Sequence, residues 1–227
     1  MTELLTSTKP LGTEHSTRSI SDMLFWQLRE DILSGNIPPN SKINITALKE
    51  TYKVGLSPLR EALTRLAALN LLEQQSQRGF SVPPLSAKEL SDIIALRCEF
   101  EGTAVERSFT TGGAQWESEI LALGHQLMSM DEDSFKTLHW ESTHKKFHAA
   151  LISQCQSQWR LRFIQQLHDQ FDRYRRQAPA NMSLRRKLNE QHAQMVKLAL
   201  DGEGQQLKNL IIDHIKLSGD VIMESFR

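Results

Sequence analysis

The apolar residues of this chain recur at helical spacing over nearly its whole length, and glycine and proline cut that pattern into short pieces first and long ones later. Ile20, Met23, Leu24, Leu28, Ile32 and Leu33 mark a helix over about 19–34, which Ser34-Gly35-Asn36 and Pro38-Pro39 end abruptly. Thr46 is placed to cap a short helix carrying Ala47, Leu48 and Tyr52, and Gly55 breaks the chain before another start. Ser57-Pro58 fits the N-cap and first position of a second short helix, whose apolar face is Leu59, Ala62, Leu63, Leu66 and Leu69. Leu71 to Gln74 and Phe80 to Val82 flank a polar tip, Gln75 to Gly79, and read as a hairpin closed by Pro83-Pro84. From Ser86 the pattern is helical almost to the end. Breaks fall near Thr111-Gly112-Gly113, Met130-Asp131, Ser153 to Ser157, Pro179 to Ser183 and Asp201-Gly202, which predicts six helices. The fold class is therefore mainly α: an N-terminal winged helix-turn-helix followed by an all-α six-helix bundle.

A length of 227 residues suits two such units, with a disordered arm over 1–18, a first domain over 19–85 and a second over 86–227. The arm is rich in Thr, Ser, Lys and Glu and lacks the layout of a secretory signal. No apolar run approaches the roughly 20 residues that span a bilayer, so no membrane partner is expected. Cys98 and Cys155 are far apart and suit small buried hydrophobes in a reducing bacterial cytoplasm.

The formal net charge is zero, yet residues 42–78 hold six basic residues against three acids, a local excess that suits contact with phosphates. In the second short helix the apolar face leaves Ser57, Pro58, Arg60 and Thr64 free to enter a major groove, and the helix N-terminus favours a phosphate. Lys49, on the helix before it, joins these candidate DNA contacts. Arg65 lies one turn further on, where it meets DNA, sits at the rim or pairs with an acid. At the wing tip Gln77-Arg78-Gly79 sets a guanidinium beside a flexible residue, fit to follow the backbone or minor groove. One short recognition helix reads few base pairs, so a homodimer on an inverted repeat of double-stranded DNA is expected.

Leu28-Arg29-Glu30-Asp31-Ile32-Leu33-Ser34-Gly35, Pro38-Pro39, Ser57-Pro58-Leu59-Arg60-Glu61-Ala62-Leu63 and Arg78-Gly79-Phe80-Ser81-Val82 occur in an order that resembles the N-terminal domain of the GntR family. Most of residues 86–227 resembles that family's FadR-type helical ligand domain (FCD), and Trp140 to His148 with Arg173-Tyr174-Arg175-Arg176 is similar to regulators of the CsiR type. The resemblance implies a cytoplasmic transcription factor, in many relatives a repressor that a metabolite relieves. Leu56 stands where many relatives carry Arg, so operator sequence is not inherited, and Asn40 replaces a usual Gly, a mild change because Asn tolerates left-handed turns.

Four of the eight histidines fall on apolar stripes. His144 and His148 align with Leu151, Ile152 and Cys155; His192 lies with Leu188 and Met195; His214 lies with Leu207, Leu210 and Ile211. Four imidazoles pointing into one core suit a divalent metal, zinc or similar. The resemblance supports the three matched histidines, His148, His192 and His214, and places His144 where relatives have Asp. Without a metal, the imidazoles are left to hydrogen-bond an effector directly. Arg97 sits on the stripe of Leu90, Ile93, Ile94, Phe100 and Ala104, where a guanidinium needs a carboxylate. That carboxylate is Glu101 or Glu106, or else a small effector acid, and the resemblance favours the effector. Arg175 is a weaker second clamp, while His168, His125, His139 and His15 read as surface or packing residues. A small carboxylate follows as the effector, and the CsiR-type likeness points to a dicarboxylate or hydroxy acid. Pro83-Pro84 is a short, stiff joint through which the first sensor helix, carrying Arg97, would act on the DNA-binding unit. A zinc hydrolase is the rival reading, but a zincin places Glu directly after its first histidine and here that residue is Lys145. A purely architectural helical domain would leave the polar groups on four apolar stripes unexplained.

Overall fold

The computed structural model describes residues 19–75, 79–130, 137–178, 182–224 and 226. The expected arm over 1–18 and the wing-tip residues Gln77 and Arg78 lie outside the described residues. Helix α1 spans Ile20–Ser34, capped at its start by the Ser19 hydroxyl, which accepts from the Asp22 amide, and ended by Gly35 in the left-handed region at φ 83°. Helix α2 spans Ile45–Tyr52 and α3 spans Leu56–Ala68. Strands β1, Glu73–Gln75, and β2, Gly79–Ser81, pair antiparallel with Glu73 opposite Ser81.

Two helix starts differ from the sequence reading. Asn44, not Thr46, caps α2: its side-chain oxygen accepts from the Ala47 amide at 3.0 Å. Both residue types cap helices, and Asn is the better of the two. Helix α3 begins one residue before Ser57, with Gly55 as an N-cap that offers no side chain, so Ser57 and Pro58 both lie inside the first turn. Proline is tolerated there because its missing N–H would have had no intrahelical partner. Asn40 takes φ 60°, as expected of an Asn standing in for Gly.

The second unit holds α4 (Ala87–Thr111), α5 (Ala114–Met128), α6 (Leu138–Ile152), α7 (Gln158–Arg175), α8 (Met182–Leu200) and α9 (Gly204–Glu224), the six helices the breaks predict. Each unit has its own core. Leu24, Leu28, Leu33, Leu59, Leu63, Leu66, Leu71 and Phe80 close the first. Val105, Trp116, Ile120, Phe147, Leu151, Ile164, Met195 and Ile211 close the second, with the Trp116 indole N–H donating to the Ala150 carbonyl at 2.9 Å. Leu90, Ile93, Phe171, Tyr174 and Ile222 form a smaller cluster where α4, α7 and α9 meet. Apolar burial of this kind contributes about 25 cal/mol per Å² and is what holds α4 along α9 and α7.

The two units touch chiefly through α7. Arg29 of α1 donates from Nε to Asp169 at 2.9 Å, and its Nη2 bonds the same carboxylate, with both side chains under a tenth exposed. Arg176 pairs with Glu30. Gln170 donates to the carbonyl of Leu69, the residue that ends α3, at 2.9 Å. Arg173, 1% exposed, donates to the Pro83 carbonyl at 2.7 Å and to Gln170 at 2.9 Å. The joint expected at Pro83-Pro84 is thus fastened to the sensor unit by a buried guanidinium.

Candidate functional site

Helix α3 is held by Leu59, Ala62, Leu63 and Leu66, all fully buried, and this fixes which of its residues face out. Ser57, Arg60 and Thr64 are exposed and Pro58 is half-buried. The acid next to Arg60 is turned toward α1, where the Ser21 hydroxyl donates to Glu61 at 2.9 Å. Lys49 is exposed in the last turn of α2, and Gly79 opens β2 at φ 87°. Arg65 differs: it pairs with Asp22 at 2.6 Å and its guanidinium lies 4.4 Å from the Phe25 ring centre, which ties α3 to α1.

In the sensor unit a cavity of about 120 Å³ opens among α4, α6, α7, α8 and α9, and both candidate arginines and all four candidate histidines line it. One ring nitrogen from each of His144, His148, His192 and His214 falls within 4.8 Å of the other three. His148 Nε2 lies 3.1 Å from His144 Nε2 and 3.2 Å from His192 Nε2. His214 turns its Nδ1 to Gln191 Oε1 at 3.0 Å. Burial holds all four imidazoles below their ordinary value of 6.5, His192 down to about 3, with neighbouring imidazoles and arginines adding to the effect at the other three.

Those distances bear on what the cluster can hold. A neutral imidazole nitrogen either donates one proton or accepts one through a single lone pair, so His148 Nε2 cannot make a good linear hydrogen bond to both neighbours. Four nitrogens around a zinc-like ion at 2.0–2.1 Å would stand about 3.3 Å apart. The donor set is neutral and imidazole-only, which suits a borderline divalent cation rather than an oxygen-seeking one.

Both candidate clamps have internal partners. Arg97 donates from Nε to Glu101 at 2.7 Å, lies 4.4 Å from the Phe171 ring centre, and leaves Nη1 without a hydrogen bond among the described residues. Burial pushes Glu101 up, but Arg97 and His168 bring it down to about 2. Arg175 bonds Asp172 through Nε at 3.0 Å and Glu141 through Nη1 at 3.1 Å. Lys145 reaches Asp172 at 2.7 Å, and burial, outweighed by Arg175 and Lys145, leaves Asp172 below the usual carboxylate range.

Several residues in and around the cavity escaped the sequence reading. His168 is in the wall, 2.9 Å from Glu101 and 16% exposed, although it shares the stripe of Ile164, Phe171 and Arg175 that marked Arg175. Glu141, Asp172 and Gln191 carried no separate signal, because their partners come from other turns and helices.

A helix-turn-helix unit with an exposed recognition face, joined to a helical unit enclosing a cavity lined by histidines and arginines, defines a ligand-responsive DNA-binding regulator. Residues 20–82 match the pattern described as bacterial regulatory proteins, gntR family, and residues 92–217 match the FCD domain. The chain belongs to the GntR family of transcriptional regulators, with an FCD ligand domain. It is 35% identical over 214 residues to the uncharacterized HTH-type transcriptional regulator BphR of Paraburkholderia xenovorans, covering 92% of this chain and 87% of that protein. It is 30% identical to the HTH-type transcriptional repressor GlaR of Escherichia coli over 87% of this chain and 93% of that one. The solved structure of E. coli McbR/YncC shares the fold, with a TM-score of 0.79 at 19% identity over 93% of this chain and all of that one. The protein is a regulator and not an enzyme, so the hydrolase alternative falls. Among the described residues no helix is long and apolar enough to cross a membrane.

Two outcomes follow from this geometry. Replacing Arg60 with Ala is expected to cost roughly 1–3 kcal/mol of operator binding if it reads a base edge, with folding unchanged, as fluorescence anisotropy on a labelled duplex would measure. The second concerns pH. In metal-free protein the unfolded chain protonates its imidazoles near 6.5, whereas the folded chain protonates them only well below that, near 3 for His192. The unfolded state therefore binds more protons as pH falls through this window, and stability is lost by up to about 1.4 kcal/mol per pH unit for each imidazole. Urea midpoints between neutral pH and mild acid are expected to fall steadily; a flat profile would contradict the burial of neutral rings.

Proposed function

We propose that the protein is a homodimeric repressor of the FadR type, similar to CsiR-like regulators, that binds an inverted-repeat operator and releases it when a small carboxylate enters the histidine cavity. In this reading His144, His148, His192 and His214 hold a divalent cation, zinc or a neighbour of it, and the cation supplies positive charge to attract the acid. Arg97 lines the same space, and its Nη1 makes no hydrogen bond among the described residues. The single observation that carries the reading is the convergence of four neutral imidazoles and Arg97 on one cavity.

What supports coupling to DNA is the position of α7. His168, Phe171, Asp172 and Arg175 of this helix line the cavity, while Asp169, Gln170, Arg173 and Arg176, interleaved with them, hold the DNA-binding unit. A shift of α7 on acid binding would be felt at the end of α3 through Gln170. An acid displaces the operator only if it binds the released state more tightly, and the operator must then weaken acid binding by the same factor.

Native mass spectrometry of freshly purified protein tests the reading directly. A dimer carrying one metal per chain, which loses operator on titration with glutarate or another small dicarboxylate or hydroxy acid, is the expected result. Metal-free protein whose operator affinity no small acid changes would overturn it. The route through α7 has its own measure. Gln170→Met should leave operator affinity and acid affinity near their original values when each is measured alone, while the factor linking them falls several-fold. A coupling factor equal to that of the unaltered protein would remove Gln170 from the route.

A further inference from the structure

The four imidazoles of the cavity are not supported alike. His192 Nδ1 is buried with no hydrogen-bond partner among the described residues, and its ring is held by packing, 5.5 Å from the Phe147 ring centre. His214, 5% exposed, has its Nδ1 fixed by a side chain from the neighbouring helix: Gln191 Oε1, at 3.0 Å. Gln191 and His192 are consecutive residues of α8, so their side chains leave the helix about 100° apart. One enters the cluster and the other reaches the far side of the His214 ring on α9.

We infer that Gln191 is a positioning residue for the metal cluster, which accepts the Nδ1 proton of His214 and so leaves His214 Nε2 unprotonated and aimed at the cavity. The inference rests on the reading of the cluster as a metal site. A neutral imidazole carries one ring proton, and only the nitrogen without it binds a cation. An amide oxygen can only accept, so with Oε1 facing Nδ1 the proton sits on Nδ1 and Nε2 keeps its lone pair. The same amide turned over would present its NH₂ group, call for a bare Nδ1 and move the proton to Nε2, which would close that nitrogen to a metal. With its oxygen toward the ring, Gln191 therefore favours the His214 tautomer that can ligate.

The choice of an amide also has an electrostatic consequence. A carboxylate in this position would orient the ring equally well and make it a stronger donor, at the cost of adding negative charge beside the cluster. Glutamine orients the ring and adds none. With His144 standing in place of an acid, the cluster and its orienting group are neutral together, and the full charge of a divalent ion remains to attract an anion.

The test is a Zn(II) titration of metal-free protein in competition with a chromophoric chelator. Gln191→Leu, which keeps bulk and removes the acceptor, is expected to weaken zinc binding about 10–100-fold. Gln191→Glu, which keeps the acceptor and adds charge, is expected to bind zinc at least as tightly as the unaltered chain. Thermal midpoints of the metal-free proteins check that each variant is folded. A Leu variant within twofold of the unaltered affinity would overturn the inference, and so would equal weakening in both variants, which would mean that Gln191 only fills space. Should the Leu variant not fold, long-range proton–nitrogen correlation NMR on the unaltered metal-free protein decides the matter. His214 is expected as the Nδ1–H tautomer, and the Nε2–H tautomer would refute the assignment. Failure of the unaltered protein to bind zinc at all would instead sink the metal reading beneath it.

Discussion

A charged side chain taken out of water costs several kcal/mol unless a partner stands within reach, and α7 meets that condition along both of its faces. Toward the DNA-binding unit it places Asp169 on Arg29, Arg176 on Glu30, and Arg173 on the Pro83 carbonyl. Toward the cavity it places Asp172 and Arg175 among Lys145 and Glu141. Rotating the helix by a single residue's angle would strand every one of these groups at once. The placement of the DNA-binding unit and the shape of the cavity wall are therefore set by one helix in one orientation.

Periodicity made the layout legible. The six sensor helices, the recognition helix and the hairpin all follow from where apolar residues recur and where glycine and proline interrupt them. The histidine cluster was legible for the same reason: His148, His192 and His214 sit on stripes that must face inward. Periodicity says which way a residue points, and not what it meets. Arg97 with Glu101, four apart on one helix, was open to anticipation; Gln191 with His214, or Arg29 with Asp169, joins residues 23 and 140 positions apart. Helix starts were the least legible part, since Asn44 and Thr46 can both cap a helix and Asn leads Thr only slightly.

The cavity region combines paired charges with rings that carry none. Arg97, Lys145 and Arg175 of its walls meet Glu101, Asp172 and Glu141, and burial disfavours the charged form of the imidazoles. Such walls are stiff, because the Arg97 and Arg175 guanidinium groups are each held by more than one bond to buried carboxylates.

The stretch before α2 is stitched to the hairpin. Asn40 donates its amide to Val82, Ile43 donates to Phe80 at 2.8 Å, Val82 donates to Ser41 at 2.9 Å, and Lys42 bridges to Ser81. Strand β2 thus has a backbone neighbour on each side, and the wing, α2 and α3 share a single core with α1. Among the described residues, β2 is tied to the chain that leads into α2. If the chain acts as the proposed dimer, α3 and the strand packed beside it would move as one lever, so that each half-site would be released whole and not one contact at a time.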